Sequence, residues 1–213
     1  MNGCEIWMNA IQVFSLIQNS QLRIHNSCCS LNLPHLSGRG VYPPKEISRG
    51  DLKVPIQIAL FTVGDRFVSG GAKDEAGDNL NASCLKMGWE IVARQALGDD
   101  EQALAAHLIQ IADSGTVDII FTVDGIGIQP KDRVPEAMYQ VCEKWLSGLS
   151  ELIRLKAYEK TPLVSLTRGV AGVRGKTLLI NMPGSPTAVK DSMEVLRPVL
   201  RLAVEQVKGI AAT

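Results

Sequence analysis

The stretch 118–137, DIIFTVDGIGIQPKDRVPEA, sets Gly125 and Gly127 among Asp124, Lys131, Asp132 and Arg133. Glycines let backbone N–H groups face a ligand with no Cβ in the way, and a helix start adds partial positive charge, so the pattern suits an anion or a nucleotide. The spacing is not the full dinucleotide fingerprint. A GxG after a strand also serves as a plain tight connection, and the charges could form only a solvated rim. Ile119, Ile120 and Phe121 predict a short buried strand ahead of the glycines. Pro135 and Glu136 predict a helix start, where the missing N–H has no helical partner and an acid meets the positive end of the dipole.

These residues need a frame, and alternating patterns along the chain supply one. A strand over 55–63 leads into a polar glycine loop, GDRFVSGGAKDEAGDN, and then a helix carrying Leu80, Cys84, Leu85 and Met87. A second strand spans 89–97. Asp99 or Asp100 is the expected N-cap of a helix at 103–114, with Leu104, His107, Leu108 and Ile111 on one face. The helix begun at Pro135 is predicted to run through Met138, Tyr139, Val141, Cys142 and Trp145, continuing or breaking near Gly148 before LSELIRLKAYEK. Further strands are expected at 162–167 and 177–181, separated by RGVAGVRGK as a turn-rich connection. After MPGSP, a final amphipathic helix over about 187–207 turns Val189, Met193, Leu196, Leu200 and Val204 inward. Strands alternating with helices imply an α/β fold, a three-layer α/β/α sandwich with a mostly parallel sheet. Ligands gather where such strands end, so the loops after Val63, Phe121, Thr167 and Asn181 could converge on one crevice.

Composition narrows the partners. Lys plus Arg and Asp plus Glu number 22 each, so no global field favours nucleic acid or a membrane surface, and 5% aromatics argue against base-stacking platforms. No apolar run approaches the roughly 18 residues of a membrane helix. Cys4, Cys28, Cys29, Cys84 and Cys142 show no CxxC, and His25, His35 and His107 are scattered, so no metal site or catalytic histidine assembles from spacing. Cys84 and Cys142 read as reduced core residues, which with no export signal implies a cytoplasmic home. Residues 1–53 form an N-terminal extension and linker, open to three readings: a disordered extension, a docked helix, or sequence upstream of the true start. Residues 54–213 form the α/β domain.

Together these loops resemble the molybdopterin adenylyltransferase family, over about 55–209. The family motif T-T-G-G-T-G, then P-R-D-V-T-P-E-A, is similar to TVDGIG-IQ-PKDRVPEA, which keeps Thr122, Gly125, Gly127, Pro130, Asp132, Pro135, Glu136 and Ala137. GDRFVSGGAKDEAGDNL resembles the family's first loop and retains Asp65, Arg66, Gly71, Asp74, Gly77 and Leu80. TRGVAGVRGKTLLINMPGSPTAV resembles its third segment, with Arg168, Gly172, Asn181, Pro183, Gly184, Ser185 and Pro186 in place. The resemblance implies a molybdopterin-binding type of fold and adenylylation of molybdopterin with ATP and Mg²⁺. It places Asp99 and Asp132 as catalytic, metal-holding carboxylates. Thr122, Asp124, Gly125, Gly127, Lys131 and Glu136 fall on the nucleotide and phosphate side, and Thr167, Arg168, Asn181, Pro183, Gly184 and Ser185 on the pterin side. It also implies a homotrimer and leaves room for a molybdenum-insertion protein as partner.

The departures cluster in one loop. Asp124 stands where the family has glycine, Val123, Ile126 and Val134 replace threonines, Lys131 replaces Arg, Gly64 replaces Ser, and Thr167 replaces Ser. An unpaired carboxylate about 4 Å from a phosphate charge costs roughly 4 kcal/mol at an effective dielectric near 20. Asp124 could alternatively help hold Mg²⁺ or point away. A second reading follows: a pterin-binding or scaffold protein of the same fold that does not use ATP.

Overall fold

The computed structural model describes residues 55–210; the N-terminal extension expected over 1–53 lies outside them. Six strands form one sheet: β1 (Gln57–Val63), β2 (Glu90–Leu97), β3 (Ile119–Val123), β4 (Lys144–Trp145), β5 (Ala171–Arg174) and β6 (Thr177–Met182). Their spatial order is β2-β1-β3-β6-β5-β4. The first four in that order run parallel, and β5 and β4 add antiparallel to one edge.

Strand alternation builds two cores. Along β1, Ile58 and Leu60 point to one face while Ala59, Phe61 and Val63 point to the other. On the first face Ile119, Phe121, Leu178 and Ile180 meet α2 (Glu75–Lys86), α5 (Ser147–Tyr158) and α6 (Pro186–Val207) through Leu80, Ile153, Leu196 and Leu200. On the second, Ile120 and Leu179 meet α3 (Glu101–Asp113) and α4 (Val134–Val141) through Leu108 and Met138. Central strands covered on both sides read as continuous apolar runs for that reason. This is the expected three-layer, mostly parallel α/β architecture. Among the described residues no helix is long and apolar enough to cross a membrane.

Three expectations are corrected. Residues 162–167 are not a strand: Pro162–Leu166 is a 3-10 turn, with Thr161 Oγ1 accepting from Leu163 N at 3.3 Å. Thr-Pro is a cap followed by a first-turn proline, and with Leu163 72% exposed the apolar run has no core to enter. Part of the turn-rich connection is strand β5, which pairs with β6 through a two-residue turn opened by Gly175 at φ 53°. The helix from Pro135 stops at Val141, because Cys142 turns extended and Lys144–Trp145 joins β5 as an edge strand.

Candidate active site

Loops at the carboxyl ends of three neighbouring parallel strands enclose a cleft of about 450 Å³. Gly64, Asp65 and Arg66 come from the end of β1 and the short helix α1 (Asp65–Val68), Asp99 from the turn after β2, and Asp124 to Asp132 from the loop after β3. That is where an open parallel sheet collects ligands.

The turn after β2 divides its labour. Asp100 caps α3 by accepting from Ala103 N at 2.7 Å, which leaves Asp99 to the cleft. Asp65 and Asp99 clasp one another: Asp99 N donates to Asp65 Oδ1 at 3.2 Å and Asp65 N donates to Asp99 Oδ2 at 3.4 Å. Each keeps its second carboxylate oxygen clear of these contacts. Gly98 makes the approach possible, since a Cβ there would sit 3.0 Å from Asp65 Oδ1.

The β3 loop is built from its glycines and one arginine. Gly125, at φ 67°, leaves no room for a side chain, because an added Cβ would meet Val134 Cγ2 at 2.5 Å. Asp132 folds back over Gly127 and accepts from Gln129 N at 2.8 Å through Oδ2, closing the turn that presents Lys131 to solvent. Arg168 buckles this loop from behind. Its Nε donates to Gly127 O at 2.7 Å, its Nη2 to Asp132 O, and its guanidinium spans the Glu136 carboxylate at the start of α4. The Arg168 hydrogen bonds outweigh partial burial and hold the Glu136 carboxyl below its ordinary pKa. Arg133 turns out of the cleft to pair with Glu101 at 2.7 Å.

Asp124 points neither to open solvent nor to an empty cleft. Its backbone lies at φ 74°, its Oδ1 accepts from Gly125 N at 3.0 Å, and its Oδ2 pairs with Arg66, which in turn lies over the Phe67 ring at 4.6 Å. The charge that would oppose a phosphate is therefore already partnered. The Asp124 carboxylate also fills the space that a Gly184 Cβ would need, which brings the turn after β6 to the cleft.

The remaining expected site residues sit around this core rather than in it. Thr122 and Asn181 are 1% and 3% exposed and bind each other, Asn181 Nδ2 donating to Thr122 Oγ1 at 2.6 Å, while Asn181 Oδ1 accepts from Val170 N at 3.0 Å. Thr167 Oγ1 donates to Val164 O at 2.8 Å. Ser185 is exposed beside Pro183 and Gly184, with its hydroxyl on Thr187 Oγ1 at 3.0 Å. Asp74 caps α2, accepting from Gly77 N at 2.8 Å, Thr62 Oγ1 at 2.7 Å and Arg94 Nη2 at 3.0 Å. Gln129 lines the cleft without having been singled out by type or spacing; its role is a backbone N–H, which leaves no mark in a sequence.

Among the described residues no three or more His, Cys, Asp or Glu side chains converge as a metal-binding group. The donor set still suits Mg²⁺, which keeps several waters and takes only one or two carboxylates beside substrate phosphates. Asp65, Asp99 and Asp132 offer hard oxygen donors on one cleft.

An open parallel sheet with aspartate and glycine loops gathered at its strand ends defines a ligand-binding α/β domain. Residues 59–202 match the family described as probable molybdopterin binding domain. The chain is 30% identical over 161 residues to a molybdopterin adenylyltransferase of Helicobacter pylori, covering 72% of this chain and 89% of the relative. It is 30% identical over 149 residues to molybdenum cofactor biosynthesis protein B of Escherichia coli, covering 69% and 86%. In fold it is similar to the molybdopterin biosynthesis enzyme MoaB of Thermus thermophilus, with a TM-score of 0.68 and 36% identity over 72% of this chain and 97% of that one. The chain belongs to the molybdopterin-binding domain family.

Proposed function

We propose that this protein is an enzyme of molybdenum cofactor biosynthesis that adenylylates molybdopterin with ATP. An oxygen of the pterin's phosphate attacks the α-phosphorus of ATP, the bond from that phosphorus to the bridging β-oxygen breaks, and pyrophosphate leaves. The observation that carries this reading is the convergence of Asp65, Arg66, Asp99, Lys131 and Asp132 with the Gly125 and Gly127 loop on one cleft of a family member.

The chemistry asks for positioning and charge neutralisation more than for a protein nucleophile. Four carboxylates (Asp65, Asp99, Asp124, Asp132) face two cations (Arg66, Lys131) in the cleft, so 4 − 2 leaves two negative charges. A bare polyphosphate is repelled by that excess. Mg²⁺ held by Asp99 and Asp132 would supply the missing positive charge and a Lewis acid for the phosphate oxygens. Lys131 adds a mobile point charge without the bidentate geometry of an arginine. Asp65 keeps Asp99 in place through their mutual backbone contacts. On the pterin side the turn bearing Gly184 and Ser185 borders the cleft at Asp124.

A homotrimer and a cytoplasmic setting belong to the same reading. Tyr139, Trp145, Leu155 and Leu163 give exposed apolar surface for assembly, and the free thiols of Cys84 and Cys142 suit a reducing compartment. The test is pyrophosphate release from ATP and Mg²⁺ in the presence of molybdopterin. Turnover lost on Asp132→Ala supports the reading; no release above a blank from the unaltered protein defeats it.

A further inference from the structure

We propose that the Asp124 carboxylate is an internal occupant of this cleft's anion seat, held there by Arg66, and that an incoming phosphate must compete with it for that arginine. The inference rests on reading the cleft as a phosphate site. It goes further by assigning to one side chain the control of how tightly an anion binds.

Two donors of the cleft, one from the β3 loop and one from the segment after β1, are taken by the same carboxylate. Gly125 N is the kind of backbone N–H that a glycine loop offers to a phosphate, and Asp124 Oδ1 accepts from it at 3.0 Å. Arg66 is the cation of the adjoining loop, and its Nη2 is bound to Asp124 Oδ2. The seat is also shaped for this occupant. Gly184 has no side chain where the Asp124 carboxylate lies, and Asp124 accepts a left-handed φ of 74°, a conformation that Asp tolerates better than most residues but still at a cost. Asp124 N is fixed on Met182 O at 3.1 Å, so the backbone cannot swing the carboxylate away without breaking the link to β6.

The other partner is free to move. The Arg66 side chain is 56% exposed and rests on the Phe67 ring, so its guanidinium can turn from Asp124 to a ligand within the same cleft. Anion binding then becomes an exchange of one negative partner for another on Arg66. The exchange favours a ligand that brings its own divalent cation over a bare anion, because the displaced Asp124 carboxylate then has a new counter-charge. Asp124 in this role discriminates metal-loaded from metal-free polyphosphate.

The experiment is calorimetric titration with inorganic pyrophosphate in EDTA, using the full chain and its Asp124→Gly, Asp124→Asn and Asp124→Gly/Arg66→Met variants, each checked for an unchanged melting transition. Emptying the seat leaves Arg66 unpaired, so Asp124→Gly binds metal-free pyrophosphate about tenfold tighter than the unaltered protein, on the order expected for one partly exposed charge. Asp124→Asn, which suits positive φ, shifts the same way and keeps the test open if the glycine variant folds poorly. The double variant, like the natural pair, places no net charge in the seat, and it loses most of that gain, keeping only what the freed Gly125 N–H contributes. Equal or weaker binding by both single variants overturns the inference, as does a gain undiminished by the loss of Arg66, or no measurable binding by any of the proteins. Adenylyl transfer is measured separately. Tighter binding without turnover defeats the proposed reaction and keeps this inference; turnover with no tightening does the reverse.

Discussion

Replacing Arg168 with Met keeps the aliphatic stem and removes the guanidinium that joins three pieces of the site. The lost contacts are those to Gly127 O, to Asp132 O and to the Glu136 carboxylate. Hydrogen bonds to a charged group contribute about 1.5–3 kcal/mol each when buried, but Arg168 and Glu136 are 37% and 28% exposed and solvent screens them. Discounting each contact to about 1 kcal/mol gives about 3 kcal/mol of lost stability. With a urea slope of about 2 kcal/mol/M, the unfolding midpoint falls by about 1.5 M. The loss also depends on pH. Arg168 depresses the Glu136 pKa, so that part of the stability is fully present above the ordinary carboxylate pKa and is lost as pH falls through the depressed value. Urea unfolding at pH 7 and again near pH 3 therefore shows a gap between the two proteins that narrows in acid. A midpoint shift below about 0.3 M at pH 7, or a gap that widens in acid, refutes the buckle.

Asp74→Ala removes the α2 cap together with acceptors for Thr62 and Arg94, and should cost about 2 kcal/mol by thermal melting while leaving pyrophosphate affinity within twofold. Gly125→Ala puts a Cβ at φ 67° and against Val134, lowering stability by about 1–3 kcal/mol in the same assay and weakening anion binding as the loop shifts. Burial pushes the thiols of Cys84 and Cys142 up to about 12, so neither reacts with a disulfide reagent at pH 8 until urea unfolds the domain, as a thiol titration restricted to peptides containing them would show.

How much of this was legible beforehand differs by residue. The runs at Ile58–Val63, Ile119–Val123 and Leu178–Met182 are apolar but for Thr62, Thr122 and Asn181 because both faces of the sheet are covered, and such runs can be read directly as buried strands. The capping role of Asp100 follows from its place before a helical pattern, which also frees Asp99. The 3-10 turn at Pro162–Leu166 misleads because valine and leucine at its centre have strand character, while the deciding fact is that no core lies beneath them. Strand β4 has only two residues, too short for any period to show. The Arg66–Asp124 pair joins residues 58 positions apart, and opposite charges at that separation carry no local signal. Thr122 and Asn181 have side chains fit for ligand contacts, yet in the fold they satisfy each other, which only adjacency of β3 and β6 could reveal.

The position of the ATP phosphates is the most direct test of the proposed reaction. A crystal structure of the full chain with Mg²⁺ and a non-hydrolysable ATP analogue should show the triphosphate in the cleft between Asp65, Asp99 and the Gly125–Gly127 loop, with Asp99 on the metal at about 2.1 Å. A triphosphate seated elsewhere, such as the pocket between Pro135 and Arg154 on the far side of Arg168, with the aspartate cleft unchanged, would contradict it.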